Sequence, residues 1–500
     1  MDNQETAKSI YNRLKQDRDS YTKRAEECAK VTIPSLFPSD SSTGSDNFET
    51  PYQSMGSRGV NNLSHKLLLA LFPPNATFFR LSPSEEVQAE LAENPEALKD
   101  IETALASQER VILKYIETNQ IRVTIGEATK QLVVAGNNLL YLPPDGGIKS
   151  YRLNNYVIQR DALGNVLTII TLDKIAYAAL PKELKGLVDT NGDIKPDKEV
   201  EVYTHVQLED DFYNSYQEVD GKRVPGSEGK YPKDSSPWFP LRMVKVDGEN
   251  YGRSYVEEYI GDLKSCESIQ KALTQITAIV SHILILVNPT GITSASKLQK
   301  AKAGEFVPGR LEDIQALLIG KLQDLQVAES NLNRLESRLG YAFMLNSSVQ
   351  RNGERVTAEE IRYVAGELED NLGGIYSILT QELQLPLVRR LLSQLQSLNK
   401  LPQLPDGTVE PAITTGMEAL GRGHDLMKLQ TFLEFATKLP ETVNRLKVDG
   451  LLTMLGNSIG LDLSTIIKSD EEVQQEMMQQ QMMEMAQKTA PQYAAAELGQ

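Results

Sequence analysis

The sequence predicts a mainly helical chain with one β-rich region set between helical ones, an α+β class. Three observations carry that expectation. Ile269, Leu273, Ile276, Val280, Ile283 and Val287 recur at alternating four- and three-residue spacing, which places one apolar stripe along a helix. Leu325, Ala328, Leu332, Leu335, Leu339 and Ala342 repeat the pattern. Across residues 138–246, short runs rich in β-branched and aromatic residues take over, separated by turn chemistry at Asp145-Gly146-Gly147 and Gly164-Asn165.

Taken in order, residues 5–30 read as a surface helix of mixed charge with Ile10, Leu14 and Tyr21 as its apolar positions. Pro34, Pro38 and the polar run 39–45 break it. Residues 60–72 resume as a helix with Val60, Leu63, Leu67 and Leu71 on one face, closed by Pro73-Pro74. Residues 95–119 and 125–135 are two more helical segments. The strand candidates are 139–142, 151–153, 156–158, 166–170 and the alternating run 200–206. Trp238, the only tryptophan, falls in a proline-rich turn near the end of this region.

The two apolar stripes then define rods of about 24 residues, roughly 36 Å long at 1.5 Å per residue. The first ends at Asn288-Pro289, because the residue before a proline is pushed out of the helical region. The rods bracket an insert, 288–320, so the expectation is an antiparallel hairpin with a head. That insert carries Lys297, Lys300, Lys302 and Arg310 against Glu305, Glu312 and Asp313. Residues 272–296 hold no Asp, Glu, Lys or Arg, although 24% of the chain is charged, so this tip is expected to be buried by other chains. After the second rod comes the polar stretch 346–356, and Thr357 with Glu360 then forms a capping box that starts a long helix. Bends are expected near Gly373-Gly374 and Pro386. A short strand is expected at 411–415, then a smaller helical region, and a Gln/Met/Glu tract from 469 to 500 that forms a last helix or stays disordered.

Composition bounds the function. Five hundred residues with 40% hydrophobic content suggest about three domains with real cores. Asp and Glu outnumber Lys and Arg by 68 to 52, a net charge of −16, which argues against a protein that grips nucleic acid over its whole surface. Ordinary solubility and a surface that lets polyanions pass both fit this charge. Cys28 and Cys266 are far apart and lack metal-ligand spacing. The most apolar run, 276–287, has 12 residues with Ser281 and His282 inside it, too short to span a bilayer. The polar N-terminus does not read as a secretory signal, so a soluble chain made in a reducing compartment is expected.

Catalytic motifs fail on context. Gly456, Ser458 and Gly460 match a nucleophile elbow, but His65, His205, His282 and His424 all lie upstream of the serine. Gly320-Lys321 lacks the rest of a phosphate loop, and His424-Asp425 stands alone. No catalytic residue, metal site or cofactor is expected.

Longer runs carry a resemblance. They are 59–67 with Ala70-Leu71-Phe72-Pro73, 131–137, 251–255, 343–347, 353–362, 381–387, Glu410-Pro411 and Gly421-Arg422-Gly423. Together they resemble the portal (head-to-tail connector) proteins of T7-like short-tailed bacteriophages, over about residues 8 to 425. The resemblance implies a ring of twelve subunits at one capsid vertex around a channel for double-stranded DNA, with parts called wing, stem, clip and crown. On this chain it implies a wing at 1–262, stem helices at 263–287 and 321–345, and a clip at 288–320. A tunnel loop would occupy 346–356, a wing spine helix and return strand 357–424, a crown 425–468, and a C-terminal barrel helix or tail 469–500.

Site expectations follow from that assignment. Arg351, Asn352, Gly353, Glu354 and Arg355 would line the bore, the two arginines either meeting phosphate or pairing with Glu354. Lys297, Lys300, Lys302 and Arg310 would meet a partner, DNA or solvent, and Ile276, Val280, Ile283 and Val287 a neighbouring subunit. Implied partners are the homo-dodecamer, DNA, the terminase large subunit, tail adaptor and tail proteins, major capsid and scaffolding proteins, and internal core proteins, but no membrane. The implied location is the virion, with assembly in host cytoplasm. The rival readings are an assembly coiled coil without a channel and a carboxylate-dependent hydrolase or nuclease.

Overall fold

The computed structural model describes residues 5–39, 42, 45–74, 77–91, 95–144, 146–188, 195–281, 285–302, 305–316, 322–345, 366, 368, 372, 374–403 and 408–413. The chain divides into two compact units, Met1–Pro74 with Phe78–Gly416, and Asn75–Thr77 with Met417–Gln500; all described residues except Thr77 belong to the first.

Helix α1 (Ala7–Lys30) starts where the Thr6 hydroxyl accepts the Ser9 N–H, and α2 (Met55–Leu71) buries Val60, Leu63, Leu67 and Leu71 as their spacing requires. Strand β1 (Phe79–Pro83), short α3 (Glu85–Leu91) and α4 (Pro95–Thr118) follow. Helix α5 (Ile121–Ala135) begins four residues before the expected point, after Gln120 turns the chain in the left-handed region. It ends at Gly136, φ +74°, where a Cβ would come within 2.5 Å of the Arg253 carbonyl carbon, so only glycine fits.

Three-stranded and six-stranded antiparallel sheets form the β-rich region. In the first, β2 (Asn137–Tyr141) lies between β10 (Trp238–Arg242) and β3 (Lys149–Tyr151). The second runs β4 (Tyr156–Arg160), β5 (Val166–Ala176), β6 (Glu199–Glu209), β7 (Phe212–Val219), then β8 (Lys222–Arg223), with β9 (Gly229–Pro232) also on β7. Helix α6 (Lys182–Lys185) lies between β5 and β6 and packs Leu184 into a small separate cluster with Val200, Val202 and Val219. Trp238 is therefore a strand residue: it pairs with Tyr141 and stacks on its ring at 4.0 Å, because a half-covered pleat accepts an indole better than a turn does.

Helices then return as α7 (Tyr255–Glu258) and α8 (Ile260–Ser281). The first rod is shorter than its stripe implies. It ends at Ser281, and Ile285–Val287 form strand β11, paired with β12 (Ile314–Ala316). Residues 283–287 are all aliphatic and include β-branched Ile283, Ile285 and Val287, which fit a pleat as well as a helix, and a partner strand decides. The insert between these strands holds α9 (Ala295–Lys300), and the second rod, α10 (Leu322–Ala342), lies where its stripe places it.

Helix α11 (Gly374–Leu379) passes through a wide π turn (Thr380–Gln384) into α12 (Leu385–Ser397), so the expected irregularity falls immediately before Pro386. Pro386 sits in the first turn of α12, where its missing N–H costs little. Strand β13 (Val409–Ile413) pairs with β1 across more than 300 residues of chain. The expected capping box at Thr357 and Glu360, the elbow-like Gly456–Gly460 motif and everything beyond residue 413 lie outside the described residues.

One large core joins α1, α2, α4, α5, the three-stranded sheet, α8, α10 and α12. A satellite of Ala7, Tyr11, Val157, Ile170 and Tyr203 fixes α1 to the six-stranded sheet. Helix α1 is consequently less of a surface helix than its charges imply. Arg18 is buried, and its Nη1 donates to the Tyr11 hydroxyl and to the backbone oxygens of Asn154 and Tyr156, which is what makes its burial tolerable.

Candidate functional site

The hairpin of α8 and α10 and its insert form the candidate site. Antiparallel order is fixed at the base by Arg338 Nη2 donating to Asp262 Oδ2 at 2.6 Å and at the far end by the β11–β12 ladder. At the base Leu263, Cys266 and Leu339 are fully buried, and burial pushes the Cys266 thiol up to about 11, so it behaves as a small apolar group. Toward the tip that cover thins. Leu273 and Ile276 are half-buried, while Ala272, Thr274, Gln275, Thr277 and Ala278 are exposed without a charge among them. The Thr274 and Thr277 hydroxyls donate back to the Gln270 and Leu273 carbonyls (2.8 and 2.7 Å). This hydroxyl use leaves a surface less polar than the sequence suggests.

A polar staple holds the insert. Asn288 N–H donates to the Asp313 carbonyl, and the Asp313 carboxylate accepts both the Thr293 N–H (3.2 Å) and the Thr293 hydroxyl (2.9 Å). The Arg310 N–H donates to Thr293 Oγ1 at 2.8 Å. Gly291 passes so close that a Cβ would lie 2.4 Å from the Asp313 carboxylate. On this frame Lys297, Lys300, Lys302 and Arg310 are all exposed, two on α9 and two in the irregular chain that returns to β12. Beside them stand Ile292, Phe306 and Leu311, the phenylalanine fully exposed.

Of the four expected subunit contacts, Ile276 is half-buried on α8, Val280 lies on the same helix, Val287 lies opposite Ile314 in the ladder, and Ile283 falls outside the described residues. Of the described three, Ile276 and Val280 thus stand on the helix and Val287 on a strand. Arg351, Asn352, Gly353, Glu354 and Arg355 also lie outside the described residues.

The end of α10, where the chain leaves the hairpin, is built in detail. Met344 takes φ +53°, and the Leu345 N–H reaches back to the Gly340 carbonyl, closing the helix with a left-handed cap. A helix ends with carbonyls that have no partner in the helix. Here three consecutive ones are filled by side chains: Tyr255 Oη donates to Ala342 O (2.8 Å), Asn62 Nδ2 to Phe343 O (2.9 Å) and Met344 O (3.0 Å), and Lys66 Nζ to Met344 O (3.2 Å). Phe343 packs edge-on to Tyr255 and against Gly59, where a Cβ would sit 2.5 Å from the ring. These donors were not expected as site residues. The sequence carried no distinct signal for them: Asn62 and Lys66 stand among Arg58, Asn61, Ser64 and His65 on the same helix, with no way to see what they would meet.

Two clefts of about 590 and 580 Å³ open on the described surface. The first, at the hairpin base, is lined by Tyr255, Glu258, Tyr259, Asp262, Arg338 and Tyr341. Desolvation, then the Glu257 charge, raises the Glu258 carboxyl pKa. The second lies beside His205 on the six-stranded sheet. Among the described residues no three His, Cys, Asp or Glu side chains stand together to hold a metal ion, and no helix is long and apolar enough to cross a membrane.

Comparison with known proteins places the chain in a family. The family described as "Bacteriophage head to tail connecting protein" matches residues 4–467. The portal protein of Escherichia phage T7 is 51% identical over 486 residues, 95% of this chain and 90% of the relative. That of Enterobacteria phage T3 is 49% identical over 502 residues (99% and 93%), and that of Enterobacteria phage SP6 is 30% identical over 476 (94% and 91%). A chain in the virion of a native gene transfer agent particle shows a weak structural likeness, with a TM-score of 0.35 and 11% identity over 75% of this chain and 85% of its own. On the family match and these identities, the chain belongs to the bacteriophage head-to-tail connecting family and serves as a portal that joins head to tail.

Proposed function

We propose that twelve copies assemble into a ring whose channel passes double-stranded DNA inward during packaging and outward during ejection. The observation that carries this reading is the tip of α8. Its apolar stripe at Leu273 and Ile276 is only half-buried and the exposed face beside it carries no charge, which suits burial against neighbouring copies. Negative-stain electron microscopy of the purified protein tests it, with twelvefold rings around a central hole expected. The Ile283→Asp variant is expected to fail at ring assembly, since a carboxylate in an apolar interface loses its water without gaining a partner. Normal rings from that variant would overturn the interface assignment, and a monomer or closed dimer of the native chain would overturn the channel.

Twelve copies at −16 each carry about −190, a field that limits sticking of DNA in the bore. Against it, Arg351 and Arg355 supply basic rings in the tunnel loop. Replacing both by alanine is expected to weaken DNA retention by assembled rings and to flatten its salt dependence. Retention with an unchanged salt slope would assign them to pairing with carboxylates such as Glu354. The basic, partly apolar insert suits the terminase large subunit during packaging and the tail adaptor afterwards, while capsid, scaffolding and internal core proteins surround the rest. Assembly takes place in host cytoplasm. The ring itself performs no catalysis, and ATP hydrolysis belongs to the motor.

A further inference from the structure

Arg390 is a buried charge that meets no acceptor. It lies on α12 among the buried positions Leu387, Val388, Leu391 and Leu395, and is only 7% exposed. Among the described residues its guanidinium makes no salt bridge and no hydrogen bond, and its Nε is closed off from water as well. Asp234, on the turn between β9 and β10, meets the adjacent Arg389 at 4.0 Å and is 83% exposed, so it remains a surface group. Other buried guanidiniums of this fold are supplied with oxygens. Arg18 has the Tyr11 hydroxyl and two backbone carbonyls, and Arg242 has the Glu382 carboxylate. A buried charge without such a partner is strongly unfavourable.

The surroundings of Arg390 are aromatic. Its Cζ stands 5.3 Å from the centre of the Tyr231 ring. Burial pulls its pKa below the usual arginine value, and the groups that oppose the shift are three phenols, Tyr231, Tyr141 and Tyr115, with no carboxylate among them. Trp238 stacks on Tyr141 at 4.0 Å, and its buried Nε1–H has no acceptor either. Tyr141 thus neighbours two buried groups that can only donate. The frame around them is fixed. Gln394, one turn along α12, donates to the Pro143 and Pro144 carbonyls at 3.1 and 2.7 Å, which ties the helix to the chain just after β2.

These donors define the group that complements them, an oxygen anion. A guanidinium fork matches a carboxylate through two parallel hydrogen bonds. So small an opening admits a carboxylate on a side-chain arm but not the phosphates of a rigid duplex. We propose that Arg390, beside Tyr231 and Tyr141, is a carboxylate-receiving site completed by an Asp or Glu side chain of a neighbouring copy. This chain is itself a source of such groups, since its acidic residues outnumber the basic ones by 68 to 52. Around a closed ring each copy would give one carboxylate and receive one, as a head-to-tail contact requires. The proposal rests on the ring reading for the source of the carboxylate; the receiving site is read from α12, β2, β9 and β10.

Cross-linking tests it. Rings are assembled from an equal mixture of heavy-isotope-labelled and unlabelled full-length Arg390→Lys chains, a carbodiimide joins the introduced amine to any carboxylate in contact with it, and mass spectrometry reads the linked peptides. A link from position 390 to an Asp or Glu is expected, with about half of the linked pairs combining a labelled and an unlabelled peptide, as random mixing around a ring requires. Links only between peptides of one label would overturn the proposal by placing the carboxylate on the same chain, with Asp234 as the candidate. No link at 390 would overturn it by leaving the guanidinium to water. Arg390→Met supplies a second measurement. Below the assembly concentration this variant should resist denaturant at least as well as the native subunit, because it buries no charge. Ring formation followed by sedimentation velocity should nevertheless need about tenfold more protein, because the contact between copies loses a charged pair. A less stable subunit with unchanged assembly would overturn the proposal, since the chain would then satisfy Arg390 by itself. A native chain that forms no rings would defeat the ring reading and with it the neighbouring copy as donor, whereas native rings without the cross-copy link would defeat this site alone.

Discussion

His205 shows what burial does to a single residue in this fold. It sits on β6 only 6% exposed, with no hydrogen-bond partner on either ring nitrogen, against Tyr216 at 5.0 Å. Desolvation, then the charge of Arg223, pushes its pKa down to about 4 from 6.5, with Glu209 opposing. The unfolded chain takes up a proton near pH 6.5 that the folded chain refuses until about pH 4, so folding stability is full above pH 6.5 and falls as the pH drops through that window. The loss is on the order of 3 kcal/mol, and His205→Gln should lack it. Thermal melts of both proteins between pH 7 and 4 check this; parallel curves would show that histidine burial does not set the acid sensitivity.

At the scale of elements, the π turn before α12 is locked to the three-stranded sheet by charge. Glu382 accepts from the Arg242 backbone N–H and Nε, both at 2.9 Å, and from Nη2, and its charge also supports Arg160, whose guanidinium pKa burial lowers to about 10. The buried Arg242 guanidinium thus depends on this carboxylate directly, whereas half-buried Arg160 also donates to the backbone oxygens of Asn250, Gly164 and Pro240. Glu382→Leu is expected to destabilise the protein by about 3–5 kcal/mol, because Arg242 stays buried without it, whereas adding Arg242→Met should recover part of the loss. Denaturant unfolding of the single and double variants measures both effects, and equal stabilities would mean that packing, not the ion pair, holds the π turn. The same element explains why Pro386 does not end the helix: the wide turn precedes it, so it stands where a first-turn proline is tolerated.

For the whole molecule, the acidic balance and the exposed basic insert point outward, to partners. The surface that a single chain leaves uncovered is apolar or uncharged on the hairpin tip and basic with apolar neighbours on the insert. The ring assembly proposed above and its expected loss in Ile283→Asp belong to this scale, because the proposed interface takes a second copy to form. The retention of DNA by rings with and without Arg351 and Arg355 belongs here as well.

The sequence by itself determined the periodic parts. Two apolar stripes announced the rods of the helical hairpin, the first only as far as Ser281, alternation announced β6, turn residues marked the β-rich region, and Val60, Leu63, Leu67 and Leu71 were assigned to the buried face they occupy. These features are local, set by side-chain spacing against a helical or extended period. Tertiary structure alone decided whatever depends on a partner distant in the chain. Residues 285–287 became a strand because 314–316 lie beside them, Trp238 joined a sheet because Tyr141 is there, and Arg18 could be buried because two backbone oxygens and Tyr11 await it. Asn62 and Lys66 belong to this second group. They stand among other polar residues of α2, and the orphan carbonyls they fill lie some 280 residues away and exist as acceptors only once α10 has ended beside α2.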